Sequence, residues 1–137
     1  MRIWHKDLIK VLPRQQLLGQ WRECCLIAKN ISENGTPNHI LVNQIITYAP
    51  SHFYTYAKHV EIEMKRRGYK ADIAKIDKYI KAHYVWGDDL FSCWHNKRYL
   101  RQCLCNLQEK YDCGGISTEE WARICEAFPE ETKYIGG

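Results

Sequence analysis

Residues 12–23 read LPRQQLLGQWRE, and this stretch decides the fold because it has the pattern of an amphipathic helix. Apolar side chains recur at helical spacing and predict the buried stripe of a first helix over residues 13–28. Pro13 suits the first turn of this helix, where a missing N–H costs nothing. The members of the buried stripe are Leu17, Trp21, Cys24 and Ala28.

The same helix carries a polar stripe. At 100° per residue, Gln16, Gly19 and Glu23 fall together on the side away from the apolar stripe, and Arg22 lies at their flank. Gly19 costs roughly 1 kcal/mol in a helix interior relative to alanine. One interpretation is a shallow polar groove in which Glu23 is the acid/base and Arg22 and Arg2 anchor phosphates. The other is an ordinary solvent-facing surface, with Gly19 packed against a neighbouring helix.

Helical patterns also dominate the rest of the chain, and strand alternation is scarce. We expect an all-α architecture, a single domain over residues 1–137 that packs four to five helices compactly. After the first helix, the predicted elements are a loop over 29–38 and a helical or extended segment over 40–48 that is ended by Pro50. A helix capped by Ser51 then runs to Arg67 before Gly68, and a short helix within 72–82 and a loop over 86–89 follow. The last two elements are a helix over 96–111 and a helix that opens with the capping box Ser117-Thr118-Glu119-Glu120 and reaches Ala127.

Composition excludes several classes of protein. No run of 18 apolar residues occurs, so we expect no membrane-spanning helix, and no apolar segment of the secretory type follows the first basic residues. The seven cysteines form an odd set without a CxxC pair, which favours a reduced, cytoplasmic protein that uses them as small buried side chains. Cys93 with His95, or Cys103 with Cys105, lacks a second correctly spaced pair, so we expect no metal site.

The positive charge is concentrated in the first half of the chain. Residues 1–70 contain 11 Lys and Arg against 5 Asp and Glu, a net charge of +6, whereas residues 71–137 carry −2. A basic half suggests an anionic partner, with nucleic acid as the first candidate. A solvated basic surface without a partner is the alternative, and charge alone does not separate the two.

The chain begins Met1-Arg2-Ile3-Trp4, which places an α-amine beside an arginine and close in sequence to the Arg22-Glu23 pair. An α-amine has an ordinary pKa of about 7.7–8.0, against about 10.4 for a lysine. At neutral pH it is therefore more often the uncharged nucleophile that forms a Schiff base with an electrophilic carbon. Met1 is the candidate nucleophile.

Several of these motifs together resemble the pyrimidine-dimer DNA glycosylase/AP lyase family, of the phage endonuclease V type. In that family the first residue is followed by Arg-Ile, as in Met1-Arg2-Ile3, and the first helix carries a leucine, an aromatic residue and Arg-Glu in the order of Leu17, Trp21, Arg22 and Glu23. Two later motifs are also similar: Arg66-Arg67-Gly68-Tyr69 at the end of a helix, and Lys133-Tyr134-Ile135-Gly136 near the C-terminus.

The resemblance implies base excision on damaged double-stranded DNA. The Met1 amine attacks C1′ of the damaged nucleotide, and Glu23 stabilises the developing charge on the sugar and assists β-elimination. Arg2 and Arg22 hold the flanking phosphates. Such chemistry requires no metal or organic cofactor. The further DNA-contact candidates are Gln16 on the polar stripe and Lys133 in the C-terminal motif.

Two other functions stay open at the level of sequence. One is an α-helical nucleic-acid-binding module without catalysis, which binds DNA but forms no covalent adduct with an abasic site. The other is a helical protein–protein adaptor that uses its aromatic surface, and it predicts no salt-dependent affinity for DNA. The oligomeric state and the lesion are not specified by the sequence.

Overall fold

The computed structural model describes residues 1–82 and 89–133. These residues are all-α and contain no β-strand, which confirms the predicted fold class. Four helices have ten or more residues, and short helical turns connect them. The α-helices are α1 (Arg14–Asn34), α2 (Pro50–Arg66), α3 (Ala74–Asp77), α4 (Lys97–Asp112), α5 (Thr118–Ala127) and α6 (Pro129–Thr132), and two 3-10 helices span Lys6–Val11 and Asn43–Thr47.

The predicted buried stripe of α1 is confirmed, but the helix is longer than expected. It continues through residues 29–34, which were predicted as a loop, because nothing breaks it before Gly35. Gly35 then adopts a left-handed conformation with φ of 75° and donates its N–H to the Ile31 carbonyl at 2.8 Å. A glycine takes this conformation without steric cost, so it ends the helix.

The start of α2 also differs from the prediction. Pro50 begins the helix instead of ending the segment before it, and Ala49, not Ser51, is the N-cap residue. Proline suits the first turn because its fixed φ is already helical and the N–H it lacks has no partner there. The segment before it forms the 3-10 helix Asn43–Thr47, so the helical alternative for residues 40–48 is confirmed over residues 43–47.

The second half of the chain follows the predicted boundaries closely. The Asn96 side chain caps α4 by accepting the Tyr99 N–H at 2.9 Å, and both hydrogen bonds of the Ser117–Glu120 capping box open α5. The short helix predicted within 72–82 is reduced to the single turn of α3. The loop predicted at 86–89 lies, apart from Asp89, outside the described residues, as does the tail beyond Lys133.

Two buried glutamates at the end of α2, which we call the glutamate cluster, hold neighbouring segments together. Glu61 pairs with Lys58 at 2.8 Å and with Lys65 at 3.3 Å, and Glu63 accepts the Arg67 Nε–H at 2.7 Å. Glu61 also accepts the Ile73 N–H at 2.6 Å, which fixes the start of α3. The positive charges at the end of α2 are therefore mostly neutralised within the helix.

The buried side chains of all these elements form one continuous hydrophobic core. The N-terminal segment is part of it, since Ile3 and Leu8 are fully buried. Within the described part of the chain, no helix is both long and apolar enough to cross a bilayer. The fold therefore draws the first residues inward, onto the flank of α1.

Candidate active site

Gln20 of α1 fixes the N-terminal segment through its backbone. The Gln20 side chain accepts the Trp4 N–H at 2.8 Å and donates to the Arg2 carbonyl at 3.0 Å, much as a neighbouring β-strand would. Tyr56 of α2 donates its hydroxyl to the Trp4 carbonyl at 2.6 Å. Gln20 is only 1% exposed, and a buried amide whose hydrogen bonds are satisfied is a rigid support.

Helix α4 and the residues before it hold the segment from the other side. The Tyr99 hydroxyl donates to the Ile3 carbonyl, and His95 Nδ1 accepts the Lys6 N–H at 2.9 Å. The His5 ring stacks on the His95 ring, with centroids 5.1 Å apart. Contacts from three helices and from His95 therefore fix the position of the N-terminal segment.

This arrangement brings the α-amine to the carboxylate of Glu23. The Met1 nitrogen lies 4.0 Å from Glu23 Oε1, and the Arg2 N–H donates to Glu23 Oε2 at 3.2 Å. The Glu23 side chain is 33% exposed, and its Oε1 accepts no hydrogen bond from the residues that the structure describes. A carboxylate with one oxygen fixed and the other open can exchange protons with a group placed beside the amine.

The surface around Glu23 is open. A Cβ added to Gly19 meets only the Arg22 guanidinium, at 3.9 Å, so Gly19 does not pack against a neighbouring helix. The predicted packing of Gly19 is therefore wrong, and the glycine instead leaves the surface between the neighbouring polar side chains open. Arg22 is exposed and forms no ion pair within the described residues.

A comparison with protein families bears on this geometry. A family model described as pyrimidine dimer DNA glycosylase matches residues 1–77, more than half of the chain. The chain belongs to that family. No curated protein and no solved structure matches it. The matched region includes the N-terminal segment, α1 and the glutamate cluster. The match to the pyrimidine dimer DNA glycosylase family therefore lies in the half of the chain that contains the Met1–Glu23 pair.

The two remaining DNA-contact candidates lie in different settings. Gln16 is half-buried on α1, and its side-chain oxygen is buried without a hydrogen-bond partner in the described structure. Lys133 follows α6, and its ammonium lies 2.8 Å from Glu130. No described contact brings Lys133 to the Met1–Glu23 pair, whereas Gln16 is on the same helix as Glu23.

The histidines beneath the N-terminal segment are neutral. Burial, together with the neighbouring His5 and Lys6, lowers the pKa of His95 to about 2. Burial likewise lowers the pKa of His5, against the opposing effect of Asp7. His95 Nε2 is buried without a partner in the described structure, so protonation would add a charge with nothing to balance it. His95 therefore supports the segment as a neutral hydrogen-bond acceptor.

The cysteines and histidines form no metal centre in the part of the chain that the structure describes. All seven cysteines lie within this part and are free thiols, of which Cys24 and Cys103 are buried. Burial raises the pKa of both thiols, so they are inert packing groups near the site.

Sequence reasoning missed the residues that position the site. Gln20 was not considered, although it lies three positions before Glu23 and four after Gln16, on the same polar stripe. A polar residue on the same helix stripe as an acid/base candidate could have indicated a residue that positions the site. Nothing in the sequence indicated that the hydroxyls of Tyr56 and Tyr99 would reach the backbone of residues 3 and 4.

Proposed function

We propose that this protein is a DNA glycosylase with AP lyase activity, which acts on damaged double-stranded DNA through the α-amine of Met1. The observation that carries the proposal is the 4.0 Å separation between the Met1 nitrogen and Glu23 Oε1. Membership of the pyrimidine dimer DNA glycosylase family supports the substrate class. The enzyme needs no cofactor, because the nucleophile and the acid/base are parts of the chain itself.

In the first step, the lone pair of the uncharged amine attacks C1′ of the damaged nucleotide. The bond between C1′ and the base breaks, and the base leaves with the electron pair. One proton of the amine passes to the departing base and the other to O4′ as the sugar ring opens, which gives an imine between Met1 and C1′. Glu23 stabilises the positive charge that develops on the sugar, since its open oxygen faces the amine at 4.0 Å.

In the second step, Glu23 accepts a proton from C2′ of the imine. The electron pair of the C2′–H bond forms a double bond between C2′ and C3′, and the C3′–O bond breaks to release the phosphate. The strand is cut at the abasic site, and water then hydrolyses the imine to free Met1. The hydrogen bond from the Arg2 N–H holds the carboxylate in place for this step.

Arg2 and Arg22 bind the phosphates that flank the attacked nucleotide. Arg22 is exposed beside Gly19, where a duplex can approach α1 closely. Gln16, with its unpaired side-chain oxygen, is a further DNA contact on the same helix. The paired Lys133 contributes a weaker contact, because its interaction with Glu130 must first be exchanged.

Retention of Met1 fits the packing of its side chain. The Met1 side chain is 13% exposed and packs against the core, while the amine stays next to Glu23. A methionine at this position therefore does not obstruct the amine. The proposal requires Met1 to be the first residue of the active protein, which intact mass measurement checks directly.

Borohydride trapping tests the chemistry. The untagged protein is incubated with a duplex that contains one abasic site, in the presence of sodium borohydride, and the adduct is digested and mapped. We expect one adduct, on the Met1 amine. A matched protein with a short Gly-Ser extension before Met1 retains DNA binding but forms no adduct there, because its amine lies away from Glu23.

An adduct on a lysine, or equal trapping by the extended protein, contradicts the role of Met1. DNA binding without any adduct supports the non-catalytic helical module instead. Absence of salt-dependent DNA binding excludes both and supports the protein–protein adaptor.

A further inference from the structure

A groove of about 460 Å³ lies beside the N-terminal segment, against one face of α4. Three arginines line it: Arg2 from the N-terminal segment and Arg98 and Arg101 from α4. The loop before the second 3-10 helix contributes Leu41. The family match ends at residue 77, so the α4 side of this groove is not implied by family membership.

The arginines on α4 are available for an anionic ligand. Arg98 and Arg101 are one helical turn apart and exposed, and neither forms an ion pair or hydrogen bond within the described residues. Gln102 and Asn106 follow on the same face; Gln102 adds an amide donor, whereas the Asn106 amide already donates to the Gln102 carbonyl at 2.9 Å. A planar guanidinium binds two oxygens of one phosphate, which makes such a pair suited to a phosphate backbone.

The groove begins next to the proposed nucleophile. Arg2 lines it and also donates its N–H to Glu23, and Arg2 adjoins Met1 in the chain, with about 3.8 Å between consecutive Cα atoms. Tyr99, also in the lining, donates its hydroxyl to the Ile3 carbonyl. A strand whose C1′ reaches the Met1 amine therefore has its next phosphates at the mouth of this groove.

The lining also favours a nucleotide chain over a simple anion. The Leu41 side chain is 51% exposed and the Tyr99 ring is half-buried, so apolar surface accompanies the arginines. Deoxyribose and base offer apolar surface next to each phosphate, whereas an inorganic anion does not. We infer that this groove holds the attacked strand, and that Arg98 and Arg101 bind the next phosphates along it, beyond the two that flank the attacked nucleotide. The inference rests on the proposed function, because it takes Met1 as the group that marks the attacked strand.

The test is a binding measurement that requires no chemistry. Duplexes carry a tetrahydrofuran abasic analogue, which has no C1′ hydroxyl and cannot form an imine. We expect Arg98→Ala/Arg101→Ala to weaken binding about tenfold at moderate salt and to reduce the slope of log K against log salt by about 1.8, or about 0.9 per lost phosphate contact. The charge-matched control is Lys70→Ala/Lys110→Ala, at two exposed lysines outside the groove, and it should bind within about twofold of the unmodified protein.

Neutral methylphosphonate linkages then identify the strand. Linkages in the attacked strand, placed one step beyond those that flank the analogue, should weaken binding by the unmodified protein. They should add little to the defect of Arg98→Ala/Arg101→Ala, because the same contacts are already lost. Neutral linkages in the complementary strand should weaken DNA binding by the unmodified protein and by the variant to the same extent. Circular dichroism of the variant verifies that the helical content of the protein is unchanged.

Binding by the arginine variant that matches the lysine control overturns the inference, as does coupling to the complementary strand. These results are separate from the fate of the proposed function. If the unmodified protein forms the borohydride adduct on abasic DNA while the arginine variant binds normally, only the inference about the groove is overturned. If the neutral linkages and the arginine substitutions are coupled in one strand only, but no borohydride adduct forms, the groove is a DNA-binding site and the proposed chemistry is contradicted.

Discussion

Glu23 and Glu63 both lie among basic residues, yet their surroundings differ in a way that separates chemistry from structure. Glu63 is buried, with 4% of its side chain exposed, and accepts hydrogen bonds from Arg66 and Arg67. Glu23 is 33% exposed, receives one backbone N–H, and leaves its second oxygen 4.0 Å from the Met1 amine. The first carboxylate has all its donors, and the second has room for a substrate.

The cations around the two carboxylates differ in the same way. Arg67 bonds Glu63 and also donates to the Leu12 carbonyl at 2.7 Å, which ties α2 to the end of the first 3-10 helix. Arg22 and Arg98 have no partner among the described residues. A basic stretch in sequence is therefore a poor guide to a DNA-binding surface, because the most basic run, residues 65–67, is the one most fully neutralised.

The largest effect that separates the two regions is expected from Glu23→Gln. The amide still accepts the Arg2 N–H but cannot take a proton, so abasic-strand cleavage should fall about 10²–10⁴-fold. Affinity for uncleaved duplex should stay within about threefold, measured by fluorescence anisotropy. Glu33→Gln, at an exposed position of α1, is the control and should cleave normally. Equal losses of binding and cleavage would instead assign Glu23 a structural role.

Glu63→Gln should reverse this pattern. Removal of the charge leaves Arg67, whose side chain is 19% exposed, without its counter-ion, and the free energy of unfolding should fall by about 2–3 kcal/mol. Denaturant titration measures the loss. Trapping per folded molecule should be unchanged, because no hydrogen bond or ion pair within the described part of the chain joins Glu63 to the Met1–Glu23 pair. A loss below about 0.5 kcal/mol would contradict the structural role of the glutamate cluster.

As the pH falls, the stability contributed by neutral His95 beneath the N-terminal segment should be lost before the stability contributed by the glutamate cluster. Burial lowers the pKa of His95 to about 2, against about 6.5 in the unfolded chain, so the unfolded state binds the extra proton first and stability falls as the pH drops below about 6.5. Burial alone raises the pKa of Glu63, but hydrogen bonds from Arg66 and Arg67 lower it below its ordinary value. Its stabilising contribution is present above about pH 4.3 and is lost only below it.

Thermal or denaturant unfolding between pH 7 and 4.5 measures this difference. His95→Asn keeps an acceptor for the Lys6 N–H and should reduce the slope of stability against pH by about 1 kcal/mol per pH unit. His39→Asn, at a half-buried position in the loop before the second 3-10 helix, is the control for the substitution itself. An unchanged slope in His95→Asn would show that this histidine takes up its proton equally in the folded and unfolded states, which contradicts a lowered pKa.

The smallest expected effect contrasts two arginines in DNA binding. Arg22→Ala should raise the Kd for abasic-analogue duplex about three- to fivefold and reduce the salt slope by about 0.9, since a phosphate contact is lost. Arg66→Ala should change the Kd less than twofold, because the Arg66 charge is already paired with Glu63. Similar effects of the two substitutions would mean that the ion pair opens readily and both regions attract DNA.

Local sequence patterns predicted the long helices well. The capping box at Ser117 and the cap at Asn96 are contacts within one helical turn, so the residues that make them are neighbours in the chain. The patterns failed at Pro50 and at residues 29–34, where the same residue types are compatible with either side of a boundary. The buried glutamate cluster was also missed, because glutamate is normally an exposed residue.

By itself, the sequence determined the helices and the identity of the candidate nucleophile and acid/base, since periodicity, caps and the ordinary pKa of an α-amine are local properties. Only the tertiary structure decided that Met1 meets Glu23, that Gln20 and Tyr56 hold the first residues on α1, and which arginines stay unpaired. These features depend on contacts between residues 16 to 96 positions apart, and spacing along the chain carries no information about them.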